Sequence, residues 1–462
     1  MSGDVLEALR QTFPDDLLSS DEQDLATYGG DWTRVYEPAP LVIARPRSTA
    51  EVARVVARCR ELRVPIVPSG GRTGLAGGAV ARRGELVLSL ERMRHIGEID
   101  TLGMTVHVEA GAVNEAVQQA CAPHRLLWPI DLASKGSSHV GGNLATNAGG
   151  VRVIRYGHAR NWVLGLVVVT PAGEILEVGG AIEKDNTGLD LRQLYIGSEG
   201  TLGIITEATL KLARIPARLD VALFAVDTIE AGLRLFERAR SAGLVLGAYE
   251  LFTEACMQRL RAHRKFGPPF AKPAACYVLV EVESADDGDA FAEWAAREQS
   301  SPGVVDGVLA QSTQHARQLW QLREGISEAL GATGLPHKND VALPIRELAA
   351  FCRELDAVFA AGYPGWEICV FGHVGDGNIH INVMKPDALE RAEFFARTGE
   401  ADHAVFALVE RHGGSISAEH GIGLVKKDYL HYSRSPTELA VMKSVKQALD
   451  PDNLMNPGKI FD

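Results

Sequence analysis

The sequence lacks the features that mark several large classes of protein. None of its six cysteines belongs to a C-x-x-C pair, which argues against a zinc ribbon or an iron–sulfur cluster. Its most apolar run, WVLGLVVV, is too short to span a bilayer. The formal net charge is −12, so the basic face that a general nucleic-acid binder needs is not expected. Neither a G-x-G-x-x-G fingerprint nor a Walker loop is present, so no Rossmann or P-loop site is predicted.

The rest of the composition predicts an ordinary globular protein. Scattered cysteines fit a reducing compartment, in which buried thiols behave as small apolar side chains. The N-terminal stretch MSGDVLEALRQTFPDDLL is acidic and amphipathic, unlike a signal or transit peptide. With 462 residues and 46% hydrophobic content, the chain is long enough for two or more domains. We therefore expect a soluble, cytoplasmic protein.

Three glycine-rich stretches lie in the first half of the chain. LVIARP and VPIVPS are predicted strands, and Ser48 and Glu51 form a capping box that begins a helix between them. The second strand runs into GGRTGLAGG, which has more glycine than a tight turn needs and favours a phosphate cradle. DLASKGSSHVGGNLATNAGG is a long polar loop between apolar segments, and such loops are usually functional. YIGSEGTLGIITEATLKL ends in an alternating strand at 206–212.

The second half predicts a different architecture. From about residue 214 to 425, strands such as LDVALFAV and CYVLVEVE alternate with helices at 228–242 and 287–298. This order indicates an α+β domain with an antiparallel sheet. RKFGPPFAKP is predicted as a loop.

The stretch FGHVGDGNIHINV, residues 371–383, predicts a β-hairpin with a GDGN turn. If Val374 pairs with Ile379, His373 lies directly opposite His380 on one face, with Cβ atoms ~5 Å apart. Asn382 faces the same way, because side chains alternate along a strand. Two opposed histidines can share a metal ion if a third ligand is available. The alternative is a pair of hydrogen-bonded polar histidines beside a turn.

The segment SAEHGIG offers a third ligand, since it contains adjacent Glu419 and His420. Two histidines and one carboxylate, with positions left open, are typical of a catalytic metal site. Neighbouring residues of an extended chain point in different directions, so Glu419 as a ligand would leave His420 free to act as an acid or base. The alternative is a helix cap or a surface loop.

The segment QHARQLWQLREGISEAL is predicted as one helix with an apolar core stripe. Arg323 and Ser327 lie on a neighbouring stripe, which could receive a carboxylate. Taken alone, these residues favour a solvated arginine paired with Glu324 or Glu328. Lys338 follows this helix, before a predicted strand, and taken alone would be a surface lysine.

Together the three glycine-rich stretches resemble the FAD-binding domain of the vanillyl-alcohol-oxidase superfamily, the PCMH type. FGHVGDGNIHINV, SAEHGIG and the ending LDPDNLMNPGKIF resemble the branch of that superfamily that contains D-lactate and D-2-hydroxyglutarate dehydrogenases. The resemblance runs from about Tyr28 to Phe461. It implies an α+β protein with a PCMH-type FAD-binding domain at 1–215 and a substrate-binding and metal domain with an antiparallel sheet at 216–425. A C-terminal segment at 426–462 would return to the FAD site.

The resemblance also implies which residues bind FAD. Arg72 stands where some relatives carry a histidine that bonds covalently to the flavin, so non-covalent FAD is expected, with His139 left as the alternative attachment point. The implied FAD-binding residues come from the three glycine-rich loops and the C-terminal segment: Pro68, Ser69, Gly70, Gly71, Arg72, Thr73, Gly74, Leu75, Gly136, Ser137, Ser138, Gly141, Gly142, Asn143, Thr146, Gly149, Gly200, Gly203, Ile205 and Asn456.

For the catalytic centre, the resemblance implies that His373, His380 and Glu419 bind a divalent metal, preferably zinc. Manganese, iron and cobalt also suit these ligands. The carboxylate and hydroxyl of a D-2-hydroxy acid would chelate the metal. His420 would bind the substrate and take the hydroxyl proton while hydride passes to flavin N5, and Asn382 would hold the 2-hydroxy-acid group.

Arg323, Ser327 and Lys338 match the pattern of the D-2-hydroxyglutarate dehydrogenases, in which these positions bind the distal carboxylate; serine replaces the typical threonine. A methyl group there would leave two cations unpaired. The expected activity is therefore FAD- and metal-dependent oxidation of D-2-hydroxyglutarate to 2-oxoglutarate. The alternatives are a D-lactate or D-malate dehydrogenase and a non-catalytic FAD-binding subunit of a larger oxidase. A separate electron acceptor is expected, either an electron-transfer flavoprotein or a quinone or cytochrome carrier, as is a homodimer.

Overall fold

The computed structural model describes residues 2–264, 267, 269–285 and 288–461, and this part of the chain divides into two compact units. The first unit comprises Met1–Gly150, Tyr156–Ile215 and Glu419–Asp462. The second comprises Val151–Arg155 and Pro216–Ala418. The second unit is thus an insertion in the sequence of the first. Residues 419–425, which the sequence assigned to the second domain, belong to the first unit.

One sheet of the first unit is built around a strand–helix–strand motif. Ser48 caps the helix Thr49–Leu62 by accepting a hydrogen bond from the Glu51 N–H. The Glu51 carboxylate accepts a hydrogen bond from the Arg47 N–H rather than from the Ser48 N–H, so only one of the two hydrogen bonds of the predicted capping box forms. In spatial order, the four strands found among the described residues are Leu18–Ser19, Val42–Ala44, Leu86–Ser89 and Ile66–Ser69.

A second sheet in the first unit is antiparallel and has five strands in the described part of the chain. The predicted alternation at 206–212 is confirmed, because buried and half-buried residues alternate toward the end of its central strand. The strands lie in the order Ile96–Asp100, Thr105–Glu109, Ile204–Lys211, Val163–Val169 and Ile175–Gly179, and a separate ribbon pairs Leu126–Leu127 with Ala213–Arg214.

Helices pack against both sheets of the first unit and bury two apolar clusters. The C-terminal segment also adds to the first sheet, since Met455 forms a parallel bridge with Ile66. The helices are Ser2–Thr12, Glu22–Tyr28, Thr49–Leu62, Asn114–Cys121, Val140–Ala145, Arg192–Tyr195 and Pro436–Leu449, with short 3-10 helices at Ala122–His124, Ala159–Trp162 and Lys427–Tyr432. A short helix, Val153–Tyr156, falls where the chain passes from one unit to the other.

The second unit is organised by one antiparallel sheet, which confirms the predicted α+β architecture. Counted over the described residues, it has seven strands, in the spatial order Val304–Leu309, Arg218–Val226, Cys276–Ser284, Leu246–Thr253, Glu367–Gly372, Asn378–Met384 and Pro336–Ala342. The predicted loop at 264–273 falls partly outside the described residues.

The helix predicted at 314–330 is two helices, Thr313–Glu324 and Ile326–Thr333, separated at Gly325. A Cβ atom at Gly325 would lie 2.8 Å from the Gln321 carbonyl oxygen and 2.9 Å from Leu260 Cδ1. Glycine therefore permits close packing on a neighbouring helix at the break. The helices of this unit are Ile229–Ser241, Glu254–Arg264, Ala290–Glu298, Thr313–Glu324, Ile326–Thr333, Leu348–Gly362 and Arg391–Arg411, with a 3-10 helix at Ile345–Glu347. No helix within the described residues is long and apolar enough to cross a membrane.

The predicted hairpin at 371–383 forms, but its predicted register is wrong. Phe371, not His373, pairs with His380. The four turn residues are 374–377, one position earlier than GDGN, and the His373 carbonyl accepts hydrogen bonds from the N–H groups of Asp376 and Asn378. The register differs by two residues, and a shift of two keeps every side chain on its original face. His373 and His380 are therefore diagonal neighbours rather than directly opposed residues.

Candidate functional site

The three glycine-rich loops of the first unit pack backbone against backbone around one cavity. A Cβ atom at Gly71 would lie 2.1 Å from the Ser137 carbonyl oxygen, and Gly200 has φ +72 with a virtual Cβ 3.0 Å from Pro68. Side chains at these positions would separate the loops. The cavity is lined by fourteen of the predicted cofactor residues, Pro68, Ser69, Gly70, Gly71, Arg72, Thr73, Gly74, Gly141, Gly142, Asn143, Thr146, Gly200, Gly203 and Ile205, and also by His139, Glu199 and His420.

Three buried polar atoms in these loops and in the C-terminal segment have no hydrogen-bond partner among the described residues. They are Ser69 Oγ, His139 Nδ1 and Asn456 Oδ1. Burial lowers the pKa of His139 to about 4, so its imidazole is neutral near pH 7. Buried polar atoms are normally satisfied, so three unsatisfied ones in this region indicate a polar ligand.

Glu199 fixes the segment that follows His420. Its carboxylate accepts hydrogen bonds from the N–H groups of Ile422 at 2.7 Å and Gly423 at 2.8 Å. Burial raises the pKa of Glu199, against the opposing effect of these two bonds. His420 lines the glycine-rich cavity, and its Nε2 lies 3.8 Å from Glu419 Oε1. The structure therefore places His420 beside the predicted cofactor loops of the same unit.

In the second unit, His373 and His380 are close neighbours with distinct buried carboxylates. Their ring centroids are 5.3 Å apart and their planes nearly perpendicular. His373 Nδ1 lies 2.7 and 2.8 Å from the two oxygens of Glu250, which is fully buried. His380 Nδ1 lies 3.5 Å from Oδ1 of Asp340. Each histidine thus has Nδ1 directed toward a carboxylate, an arrangement that orients histidine ligands in metal sites.

Arg323 is also part of this group. It is 6% exposed, and its Nε lies 2.7 Å from Glu250 Oε2. Its guanidinium carbon lies 4.7 Å from the ring centroid of Phe371. Nη2 is buried and has no hydrogen-bond partner among the described residues. The solvated arginine paired with Glu324 or Glu328 is therefore wrong.

Lys338 lies inside a strand, not before it as predicted, and pairs with Asn382. Partial desolvation lowers the pKa of the Lys338 ammonium although the side chain remains exposed. Asn382 is buried and donates to the Cys369 carbonyl at 3.4 Å. Ser327 is exposed, in the helix that follows Arg323. Directly paired strand residues share a face, so Lys338, Asn382 and His380 lie on one face of the sheet.

Comparison with known proteins adds independent information. Residues 215–460 match the family model described as FAD linked oxidases, C-terminal domain, and residues 40–179 match the FAD binding domain. The first of these matches covers more than half of the chain. This chain belongs to the FAD-linked oxidase family. Its relatives include proteins named D-2-hydroxyglutarate dehydrogenase from Xanthomonas citri pv. viticola, 47% identical over 98% of this chain and 96% of that protein, and from Stutzerimonas stutzeri, 42% identical over 99% and 98%.

A mammalian relative aligns with the full length of this FAD-linked oxidase. The protein named D-2-hydroxyglutarate dehydrogenase, mitochondrial, from Bos taurus is 37% identical, over 100% of this chain and 84% of that protein. Solved structures confirm the PCMH-type fold. p-Cresol methylhydroxylase has a TM-score of 0.78 at 17% identity, covering 100% of this chain and 97% of that one. Alkyldihydroxyacetonephosphate synthase has a TM-score of 0.73 at 19% identity, covering 98% and 84%.

The remaining predicted residues of this FAD-linked oxidase are distributed as follows. The predicted metal ligands are divided between the units, with His373 and His380 in the second and Glu419 in the first. Asn456 donates to the carbonyls of Gly78 and Glu199, two cavity residues. Besides Asn456, which contacts cavity residues without lining the cavity itself, five predicted cofactor residues do not line it: Leu75, Gly136, Ser137, Ser138 and Gly149.

Sequence reasoning missed Glu199, Glu250 and Asp340. Two of them, Glu250 and Asp340, carry a signal that could have been used. Glu250 is a single acid inside the apolar strand Leu246–Thr253, and Asp340 likewise precedes an apolar run. A carboxylate in a buried strand needs a partner, so such positions predict a polar cluster. Glu199 has φ +52, which a sequence does not reveal.

Proposed function

We propose that this FAD-linked oxidase is a D-2-hydroxyglutarate dehydrogenase that uses FAD and a divalent metal to form 2-oxoglutarate. The observation that carries the proposal is the relative from Xanthomonas citri pv. viticola, which has this name and is 47% identical over 98% of the chain. The arginine and lysine of the second unit agree with it, since Arg323 keeps a buried Nη2 without a hydrogen-bond partner among the described residues.

The donor sets fit both cofactors. Loops that require glycine, together with the unsatisfied atoms of Ser69, His139 and Asn456, suit the many polar atoms of FAD. Arg72 lines the same cavity and supplies a cation rather than an attachment point, so FAD is bound non-covalently. The Nδ1 atom of His373 faces Glu250, so this histidine would bind the metal through Nε2. His380 and Glu419 are the other two proposed metal ligands. Zinc is preferred, as two histidines and a carboxylate are typical of catalytic zinc.

In the proposed reaction, bound FAD supplies the hydride acceptor at N5, and the metal supplies a Lewis acid that lowers the pKa of the substrate hydroxyl. His420 takes the hydroxyl proton as general base. Asn382 orients the 2-hydroxy-acid group. Glu199 holds the backbone after His420, so the base keeps a fixed position beside the cavity.

Substrate choice depends on the distal end of the acid. Arg323, Ser327 and Lys338 would bind a second carboxylate, which a guanidinium fork matches well. D-Lactate lacks this group and would leave the buried arginine uncompensated. A D-lactate or D-malate dehydrogenase is the alternative within this reaction class. A non-catalytic FAD-binding subunit is the alternative outside it.

The experiment is a substrate panel on purified protein of measured metal content, scored by anaerobic bleaching of the flavin absorbance. D-2-Hydroxyglutarate should bleach the flavin at lower concentrations than D-lactate or D-malate. A clear preference for D-lactate would contradict the proposed substrate. Absence of bleaching with every D-2-hydroxy acid would favour the non-catalytic subunit.

We also propose an electron acceptor, an oligomeric state and a cellular compartment for this protein. The electrons leave to a separate carrier, either an electron-transfer flavoprotein or a quinone or cytochrome carrier. The protein acts as a homodimer in the cytoplasm. Its six cysteines are all free and buried, which agrees with the reducing conditions of that compartment.

A further inference from the structure

Glu250 occupies a position that the proposed reaction does not explain. It is fully buried at the centre of the second unit's sheet, on the strand Leu246–Thr253. A buried carboxylate is costly unless it is both paired and hydrogen-bonded. Glu250 satisfies both conditions through two residues from separate elements, Arg323 and His373.

The two partners meet at the same oxygen atom. Oε2 of Glu250 lies 2.7 Å from Arg323 Nε and 2.8 Å from His373 Nδ1. Oε1 lies 2.7 Å from the same His373 nitrogen. His373, a proposed metal ligand, and Arg323, proposed to bind the distal carboxylate of the substrate, thus contact the same oxygen of Glu250. The spacing between the two ends of the substrate site is therefore set within the second unit.

The carboxylate determines which nitrogen of His373 carries hydrogen. An ionised carboxylate only accepts hydrogen bonds, so Nδ1 must carry hydrogen to satisfy the contact. Nε2 then keeps its lone pair, which a metal ligand requires. The same contact fixes the ring plane, which lies nearly perpendicular to that of His380.

The carboxylate also orients Arg323. The guanidinium forms an ion pair with Oε2 through Nε and lies 4.7 Å from the Phe371 ring centroid, so neighbours from two elements limit its movement. Nη2 is left buried without a hydrogen-bond partner among the described residues. A buried donor of this kind, held by its neighbours, is suited to an anionic group of a ligand.

We propose that Glu250 is a positioning residue that sets the tautomer of His373 for metal binding and holds Arg323 at a fixed spacing from it, so that diacids of one chain length are selected. This inference rests on the proposed function. It differs from a purely structural ion pair, which would stabilise the fold without affecting metal affinity or substrate choice.

The test compares Glu250→Gln with Glu298→Gln in full-length protein with FAD bound. Glu298 is a matched control, because it too is buried, with 2% exposure, and is paired with an arginine, Arg238, in the same unit. Zinc dissociation constants are measured by competition with a chromophoric chelator. Loss of such an orienting partner typically weakens metal binding about 10- to 100-fold, so we expect that increase for Glu250→Gln and a change within roughly threefold for Glu298→Gln.

A second measurement addresses Arg323. The ratio of KM for D-lactate to KM for D-2-hydroxyglutarate should fall roughly tenfold in Glu250→Gln, because a guanidinium free to rotate is misplaced for the distal carboxylate. The ratio should stay unchanged in Glu298→Gln. Equal zinc affinities in the two variants would overturn the histidine part of the proposal, and an unchanged ratio would overturn the arginine part.

Two further points keep the result interpretable. If Glu250→Gln does not fold, Glu250→Asp and Glu298→Asp replace the pair, with an intermediate loss of zinc affinity expected for Glu250→Asp alone. Zinc affinity is measured without substrate, so it tests the metal site separately from the proposed substrate and reaction. That function is judged separately, by bleaching of the wild-type flavin.

Discussion

Lys459 offers a quantitative test of the electrostatics of the first unit. Its side chain is 2% exposed, and the structure gives its ammonium no hydrogen bond or ion pair among the described residues. Burial lowers its pKa from an ordinary 10.5 to about 8. Glu85 and Asp31 oppose this effect from a distance, while Arg83 and Arg82 add to it. Lys459→Met retains an unbranched apolar chain and removes the amine.

The magnitude follows from the pKa values in the native and unfolded states. At ~1.4 kcal/mol per pKa unit, a fall from 10.5 to about 8 means that the charged amine costs the native state about 3 kcal/mol. Between these values the unfolded chain binds more protons than the native one, so native stability rises with pH. The cost is complete below pH 8 and declines toward pH 10.5. Lys459→Met should therefore stabilise the protein by about 3 kcal/mol at pH 7, and by less at higher pH.

Thermal unfolding of the FAD-saturated proteins from pH 7 to 9.5 measures this difference. For a unit of this size the stabilisation at pH 7 corresponds to an increase in Tm of roughly 5–10 °C. Lys446→Met is the control, because Lys446 is also buried but donates to the Thr201 and Met455 carbonyls and to Asp450. That variant should be destabilised. A lower Tm for Lys459→Met, or a difference that does not vary with pH, would refute the reasoning.

Three further predictions concern the site. Asn456→Ala leaves two partly buried carbonyls without their donor, at ~1–3 kcal/mol each, so the FAD dissociation constant measured by flavin fluorescence should rise roughly tenfold or more. Lys338→Met should raise KM for D-2-hydroxyglutarate far more than KM for D-lactate. In the wild type, KM for D-2-hydroxyglutarate should increase as pH rises through the lowered pKa of Lys338, because the neutral amine no longer attracts the carboxylate. In Lys338→Met, this pH dependence of KM should be absent. Complete removal of metal should abolish flavin bleaching and added zinc should restore it; full activity in metal-free protein would contradict the assignment of His373 and His380 as ligands.

Features encoded by short-range patterns were predicted well. Ser48 caps the helix Thr49–Leu62, and Val52, Val56 and Cys59 on its apolar stripe are buried. The alternating residues of Ile204–Lys211 form a strand with alternating exposure. In both cases the deciding interactions lie within a few residues of each other, so the sequence contains them directly.

The hairpin register shows where this reasoning stops. The turn falls at 374–377 rather than at 375–378, and its position depends on backbone geometry, such as the φ of +91 at Gly377, rather than on side-chain pattern. The error was two residues, so His373 and His380 stayed on one face. A one-residue error would have placed them on opposite faces and removed the basis for a shared metal.

The environment of Arg323 could not be predicted because its partner is distant in the sequence. Glu250 lies on the strand Leu246–Thr253 and Arg323 at the end of the helix Thr313–Glu324, so their pairing depends on how that helix packs against the sheet. The helix break at Gly325 did have a local signal, since glycine costs a helix about 1 kcal/mol relative to alanine. That signal was outweighed by the apolar stripe, and the packing of Leu260 against Gly325 is a tertiary contact.

The parallel bridge between Met455 and Ile66 has a consequence for how the protein is made. The Ile66 N–H donates to the Leu454 carbonyl, and the Asn456 N–H donates to the Ile66 carbonyl. The strand that contains Ile66 can therefore form these hydrogen bonds only after residues 454–456 have been synthesised. The whole second unit, Pro216–Ala418, is translated in between. Contacts of such sequence separation slow folding. We therefore expect a nascent chain to acquire FAD only after residues 454–456 have been synthesised and have paired with Ile66, whereas the inserted unit can fold before then.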